Sequence, residues 1–320
     1  MRIIRNHAGL WLGCGILITA CAPALAQFPF TAAGNINTPA NSARWYISDN
    51  TAPIGGPISG GLGLSDADFN DASKGLDAYD GAFAIRVNNN YFAAPASATL
   101  NGNVFDSTAV NFGAYSVQVK YMFFANSPIV RAIYSFTASS ATTLTVNWDV
   151  NLGSDDGTKI HGTSANNAIN SVGAADRWFV SSDSRDLPGP PAPDLINTIV
   201  RYGPNAPQQP EGGAGTFLPN GGTDLLVDKY TISLAAGQNK KLMMFGVLGP
   251  LSGTVDDSAT AAINAAALFN NPQNMLAQGY FDGNPGDLQN IVNWGFVPEP
   301  GAASLTAAGL AILLVLRRKR

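Results

Sequence analysis

The sequence predicts an all-β protein: a large antiparallel β-sandwich with one or two short C-terminal helices, set between an N-terminal signal helix and a C-terminal transmembrane helix. Three observations predict it. Several runs alternate apolar and polar residues with the period of two that a half-buried strand needs. Clusters of Gly, Pro, Asn, Asp and Ser separate these runs at short spacings, and the chain carries 34 Gly and 20 Pro. The central part is poor in Lys and Glu, which favour exposed helices; Glu211 is its only Glu.

The ends are read first, because processing segments do not belong to the fold. Arg2 and Arg5 form a basic start, residues 8–20 are mostly apolar, and Ala24-Leu25-Ala26 places small residues where a signal peptidase cuts. The apolar run is shorter than the roughly 20 residues of a membrane span. Residues 1–26 are therefore expected to be a signal peptide, with Ala24 and Ala26 marking the cleavage site. Ile18-Thr19-Ala20-Cys21 is a competing site at which Cys21 would be lipidated. Both cysteines, Cys14 and Cys21, lie in this leader. The mature chain would then hold no disulfide and no thiolate chemistry, and its core alone must stabilise it. Of 18 basic residues, six lie in the two ends, leaving 12; of 22 acidic residues, only Glu299 lies there, leaving 21. A net charge near −9 argues against nucleic acid as a partner.

Residues 27–78 are expected to form short edge strands and loops, since Gly, Pro, Asn and Ser dominate them. Residues 82–87 form a strand candidate. In residues 115–125, Tyr115, Val117, Val119, Tyr121 and Phe123 share one face, with Ser116, Gln118 and Lys120 on the other. Asn126-Ser127-Pro128 turns the chain into a second strand at 130–137. Leu144, Val146, Trp148 and Val150 then alternate with Thr145, Asn147, Asp149 and Asn151, a half-buried strand with a polar outer face. Further strands are expected at 176–182, 196–203, 227–234 and 240–249, with long loops at 186–194 and 204–222. Residues 257–269 are Ala-rich and predict a helix capped by Asp257 or Ser258. Pro272 interrupts it before a second turn carrying Met275 and Leu276. Residues 287–294 are a last short element.

Catalytic material is sparse. His161 is the only histidine after the leader, and no nucleophile elbow, zinc-binding His pair or phosphate loop appears. A serine hydrolase would have to use His161 as its base; a polar residue on a surface loop is the preferred reading. Asp149, Asn151, Asp155 and Asp156 cluster oxygen ligands that suit calcium, yet the spacing is not that of an EF-hand. An ordinary Gly-Ser-Asp-Asp-Gly turn is preferred there. Residues 282–287 show the same ambiguity. Trp45, Tyr46, Tyr79, Tyr91, Phe92, Trp148, Trp178 and Trp294 could stack on sugar rings, though most read as core. No cofactor is expected, with calcium as the alternative.

The tail is the most informative segment. Pro298-Glu299-Pro300 precedes an apolar stretch, residues 302–316, and then Arg317, Arg318, Lys319 and Arg320 at the extreme end. This order resembles the PEP-CTERM sorting signal of exported proteins in Gram-negative bacteria. The resemblance covers residues 297–320. It implies recognition by an exosortase at the inner membrane, transient membrane residence, and a final place on the cell surface or in the exopolysaccharide matrix of a biofilm. The positive-inside rule holds the basic end in the cytoplasm, and proline keeps the triplet out of the helix. The body, residues 27–296, is similar to uncharacterised exported β-sandwich proteins, some of which resemble the supersandwich fold of galactose mutarotase and polysaccharide lyases. The catalytic histidines and acids of those enzymes have no identifiable counterpart in this chain, so no role is carried over. The expected function is thus a non-catalytic structural or polysaccharide-interacting surface protein, with exosortase and signal peptidase as processing partners. The alternatives are a carbohydrate-active enzyme (lyase, mutarotase or hydrolase-like) and a calcium-dependent adhesion module.

Overall fold

The structure is a computed structural model. It describes residues 27–28, 34–38, 42–51, 61–70, 78–92, 97–152, 158–165, 172–183, 195–211, 225–249, 253–281 and 285–295. The leader with Ala24 and Ala26, the sorting triplet, the 302–316 segment and the terminal basic cluster lie outside the described residues. Among the described residues no helix is long and apolar enough to cross a membrane.

The protein is mostly β-sheet, in two antiparallel sheets, with few helices. The strands are β1 (Gln27–Phe28), β2 (Gly34–Thr38), β3 (Ala43–Thr51), β4 (Gly61–Phe69), β5 (Tyr79–Val87), β6 (Asn90–Tyr91), β7 (Ala98–Asn101), β8 (Val104–Ser107), β9 (Val110–Asn111), β10 (Tyr115–Phe123), β11 (Ile129–Ala138), β12 (Thr142–Leu152), β13 (Thr158–Thr163), β14 (Trp178–Asp183), β15 (Ile196–Val200), β16 (Leu225–Leu234) and β17 (Asn239–Gly249). The first sheet runs β1-β7-β8-β10-β11-β17-β15-β14-β13, with β9 on β10. The second runs β16-β12-β5-β4-β3-β2, with β6 on β5. The helices are α1 (Val255–Ala266), α2 (Pro272–Ala277) and α3 (Pro285–Leu288), with a 3-10 turn over Ala267–Asn270.

The alternation in β10 is realised as read: Tyr115, Val117, Val119, Tyr121 and Phe123 are buried and the residues between them are partly exposed. Other elements differ from expectation, each for a physical reason. β3 and β4 are nine-residue strands inside the second sheet rather than short edge strands, because they bury Trp45, Ile47, Leu62, Leu64 and Phe69 between the sheets. β12 alternates only as far as Trp148; from there to Leu152 every residue is buried. α1 is capped by Thr254, not by Asp257 or Ser258. The Thr254 side chain accepts from the Asp257 N–H, and the Asp257 carboxylate accepts from the Thr254 N–H in return.

Two apolar clusters result. The larger lies between the sheets. At its centre Phe83 holds a positive φ of 59°, unusual for a bulky residue. It is skipped in the pairing of β5 with β12, where Asp149 faces Ala84 and Val150 faces Ala82. Its carbonyl accepts from the hydroxyls of Tyr121 at 3.0 Å and Tyr134 at 2.6 Å, and Trp148 Nε1 donates to Tyr134 at 3.1 Å. These hydroxyls satisfy the carbonyl that the irregular backbone turns into the core. Burial pushes both phenols well above their usual range, so they remain neutral donors.

The smaller cluster lies on the outer face of the first sheet, where Ile133, Met243, Phe245 and Val180 meet Ala259, Phe269, Met275 and Trp294. The segment at 290–294 docks as a substitute strand. β15 pairs with β17 only from Val200 opposite Phe245 onward. Beyond that point Lys241 N–H donates to Asn290 O, Val292 N–H to Lys241 O, and Met243 N–H to the Asn293 side-chain oxygen. Trp294 Nε1 donates to Met243 O at 2.7 Å. Gly203 makes room for this ring: a Cβ there would sit 2.1 Å from it.

The sheets are also joined by charge. Arg201, just after β15, and Asp228, on β16, are both fully buried. Arg201 Nε donates to Asp228 Oδ2 at 2.7 Å and Nη2 to Oδ1 at 2.5 Å, while Nη1 donates to the carbonyls of Gly173 and Asp176 at 2.6 Å each.

Two outcomes follow from this packing. Asp228→Asn strands a buried guanidinium and should lower unfolding stability by about 3–5 kcal/mol in urea titration, whereas the double replacement Arg201→Met with Asp228→Leu should recover most of the loss. Tyr134→Phe removes one of two donors to Phe83 O and the acceptor of the Trp148 indole; a cost of about 1–3 kcal/mol is expected by the same measurement.

Candidate functional site

The outer face of the first sheet is divided. One part is covered by the helices and the 290–294 segment. The other carries a polar groove of about 270 Å³, formed where β8, β10, β11 and β17 pass side by side and α3 closes one wall. The alternation that buries Val117 and Val119 necessarily sends Gln118 and Lys120 to this face. Strand register does the rest. Asp106 lies opposite Lys120, Gln118 opposite Ser135, and Ser135 opposite Lys241.

The groove is held by hydrogen bonds among its own walls. Lys120 Nζ lies 2.9 Å from Asp287 Oδ2 and 3.5 Å from Asp106 Oδ2. Gln118 Nε2 donates to Asp106 Oδ1 at 2.9 Å and to Ser107 O at 3.0 Å. Lys241 Nζ reaches the Asp287 carbonyl at 3.3 Å, and Asn239 Nδ2 donates to Thr137 Oγ1 at 2.8 Å. Burial lowers the Lys241 ammonium pKa; Asp287 opposes that shift and neighbouring Lys120 adds to it. The groove thus presents ammonium and amide donors beside carboxylate and amide acceptors at close spacing. That mixture matches vicinal hydroxyl groups, each of which donates one bond and accepts others. Among the described residues that line it there is no histidine or cysteine.

Sequence reasoning placed Gln118 and Lys120 on a polar face but did not gather the groove. Asp106, Lys241 and Asp287 come from distant parts of the chain, and only the strand order brings them together.

The other expected residues fall elsewhere. Asp149 is fully buried on β12, and both its oxygens are taken by Arg86: Oδ2 accepts from Nε at 2.7 Å and Oδ1 from Nη2 at 2.8 Å. Burial raises its carboxyl pKa and Arg86 opposes the rise. Calcium at Asp149 would have to displace a bidentate guanidinium. Asn151 is buried two residues on, while Asp155 and Asp156 lie outside the described residues. Among the described residues no group of three or more His, Cys, Asp or Glu side chains is arranged to hold a metal ion. Trp45, Tyr79, Phe92, Trp148, Trp178 and Trp294 are buried. Tyr46 and Tyr91 are half-buried; the first donates to Asp68 at 3.1 Å and the second lies under Arg86. An aromatic stacking platform is therefore not built from the six buried rings.

His161 lies on strand β13, not on the loop expected for it. Its Nε2 is 2.7 Å from Ser182 Oγ, and its Nδ1 is 4.0 Å from Asp256 Oδ1. The strand was hard to read because only Lys159, Ile160 and His161 alternate before Gly162 breaks the pattern.

No protein-family profile matches the chain, and no curated protein matches it. Solved structures give partial likenesses. A galactose mutarotase-like protein from Lactobacillus casei is 10% identical, with a TM-score of 0.39, over 68% of this chain and 100% of that one. A galactose mutarotase related enzyme from Lactobacillus acidophilus is 8% identical, with a TM-score of 0.36, over 70% and 99%. A polysaccharide lyase is 12% identical, with a TM-score of 0.38; the match covers 72% of this chain but 35% of the lyase, about a third of its length. At these scores no residue role passes from those proteins to this chain.

Proposed function

We propose that this chain is an exported surface or extracellular-matrix protein, sorted by an exosortase, whose sandwich domain binds polysaccharide through the polar groove without turning it over. The groove carries the reading: Gln118, Lys120, Asn239 and Asp106 offer paired donors and acceptors to hydroxyl groups along an open sheet face. The sorting part rests on Pro298-Glu299-Pro300, the 302–316 run and the basic cluster from Arg317 to Arg320. An acidic body suits neutral or weakly charged glycans better than nucleic acid.

Glycan-array binding of the purified mature protein tests the groove, run with and without calcium. Gln118→Ala combined with Asn239→Ala removes neutral hydrogen-bonding groups and leaves the charges in place. At about 1 kcal/mol per lost bond, binding should weaken roughly tenfold or more. Binding that is absent, or unaffected by this pair, overturns the groove assignment; binding that requires calcium would favour the adhesion-module alternative. The sorting proposal has its own measurement. The intact mass of the native protein should lack Arg317 to Arg320, and a mature product that retains them sinks the processing step.

A further inference from the structure

A second constellation lies on the same outer face at the far end of the first sheet, on β13 and β14, with β15 between it and the groove strand β17. β13 is the terminal strand of the sheet order. It pairs with β14 regularly at Lys159 opposite Ser182 and Ile160 opposite Ser181, but Gly162 then lies opposite Val180. His161 is the extra residue of a β-bulge. In an unbroken ladder it would face Val180; as the unpaired residue it is released from that position and its ring reaches Ser182. Bulges of this kind re-aim a side chain and are frequent beside active sites. Gly162 next to it is pressed by α1: a Cβ there would lie 2.7 Å from Ile263 Cδ1. The same helix brings Asp256 from its first turn to the other side of the imidazole.

We propose that Ser182 and His161 are a nucleophile and its general base for hydrolysis of small carboxylic esters, with Asp256 as a positioning residue. The Nε2···Oγ distance of 2.7 Å is that of a well-made hydrogen bond. It lies in the range required of a base that takes the hydroxyl proton. The His161 side chain is 5% exposed and Ser182 is 5% exposed, so the pair sits in a largely desolvated place where polar interactions strengthen. Asp256 Oδ1 stands 4.0 Å from Nδ1 and also holds Lys159 Nζ at 3.3 Å. It is itself 79% exposed, so its effect on the imidazolium is screened.

The step balances without a cofactor. Ser182 Oγ bonds to the ester carbonyl carbon as its proton passes to His161 Nε2. The carbon–oxygen bond to the alcohol breaks, and the leaving alcohol takes that proton. Water then attacks the acyl-serine, giving its proton to the same nitrogen, and the acid and Ser182 are released with the proton returned to Oγ. The site does not depend on glycan binding in the groove, so either can fail alone.

The test uses the full chain with a fluorophosphonate reagent and with p-nitrophenyl acetate. The reagent should add one label, located on Ser182 by peptide mass, and ester turnover should vanish to background in Ser182→Ala. His161→Gln should lower labelling and turnover by about 100-fold or more, the usual contribution of a general base. Asp256→Asn should change turnover only a few-fold. Thermal unfolding of each variant separates loss of chemistry from loss of fold; should His161→Gln not fold, the Ser182→Ala comparison alone decides. Labelling of the unaltered protein no greater than that of Ser182→Ala overturns the proposal and leaves the contact as a hydrogen bond between strands.

Discussion

The buried ion pair between Arg201 and Asp228 is the constraint around which this end of the sandwich is organised. Two charges lie in an apolar interior, so every polar atom near them must be matched. The carboxylate takes two guanidinium bonds, and the third nitrogen gathers the carbonyls of Gly173 and Asp176. The Arg201 carbonyl in turn accepts from the Tyr230 hydroxyl at 3.0 Å and the Asn293 amide at 3.1 Å. Asn293 then reaches Met243 on β17. One desolvated pair thereby joins both sheets, the loop before β14 and the C-terminal segment. Such a pair adds little net stability compared with apolar side chains of the same size, but removing one partner is costly. It ties the end of β15 in one sheet to β16 in the other.

The outer face of the first sheet shows how packing leaves room for function. The helices and the 290–294 segment cover the apolar side chains of β11, β14, β15 and β17, and they stop where the outward residues become polar. The polar groove begins at that border, with Ile133 belonging to both regions. α3 serves twice, because Leu288 packs on the apolar cluster while Asp287 closes the groove. At the other border α1 packs on Gly162 and carries Asp256 toward His161. Both polar constellations therefore lie at the edges of one apolar patch, positioned by the helices that cover it.

Residues that alternate over a long strand were legible without a structure. Tyr115 to Phe123 is the clearest case, because a period of two over nine residues leaves one burial pattern. The Ala-rich helix was legible too, though its cap was not: Thr254 precedes the predicted start and works only with Asp257 three residues on. β12 shows the limit of alternation. Asp149 and Asn151 read as an exposed polar face, yet Arg86 from β5 comes over Asp149 and the end of the strand is buried. A charged residue in an alternating strand does not announce whether solvent or a partner will meet it.

The sequence by itself determined the class of fold and the direction in which the side chains of the long strands point. These are local properties, set by side-chain period and turn chemistry. The tertiary structure alone decided which residues meet. The groove draws on residues from Asp106 to Asp287, and the His161 pair depends on one extra residue in β13. Both follow from strand order and register, which arise from contacts between distant parts of the chain and leave no periodic trace along it.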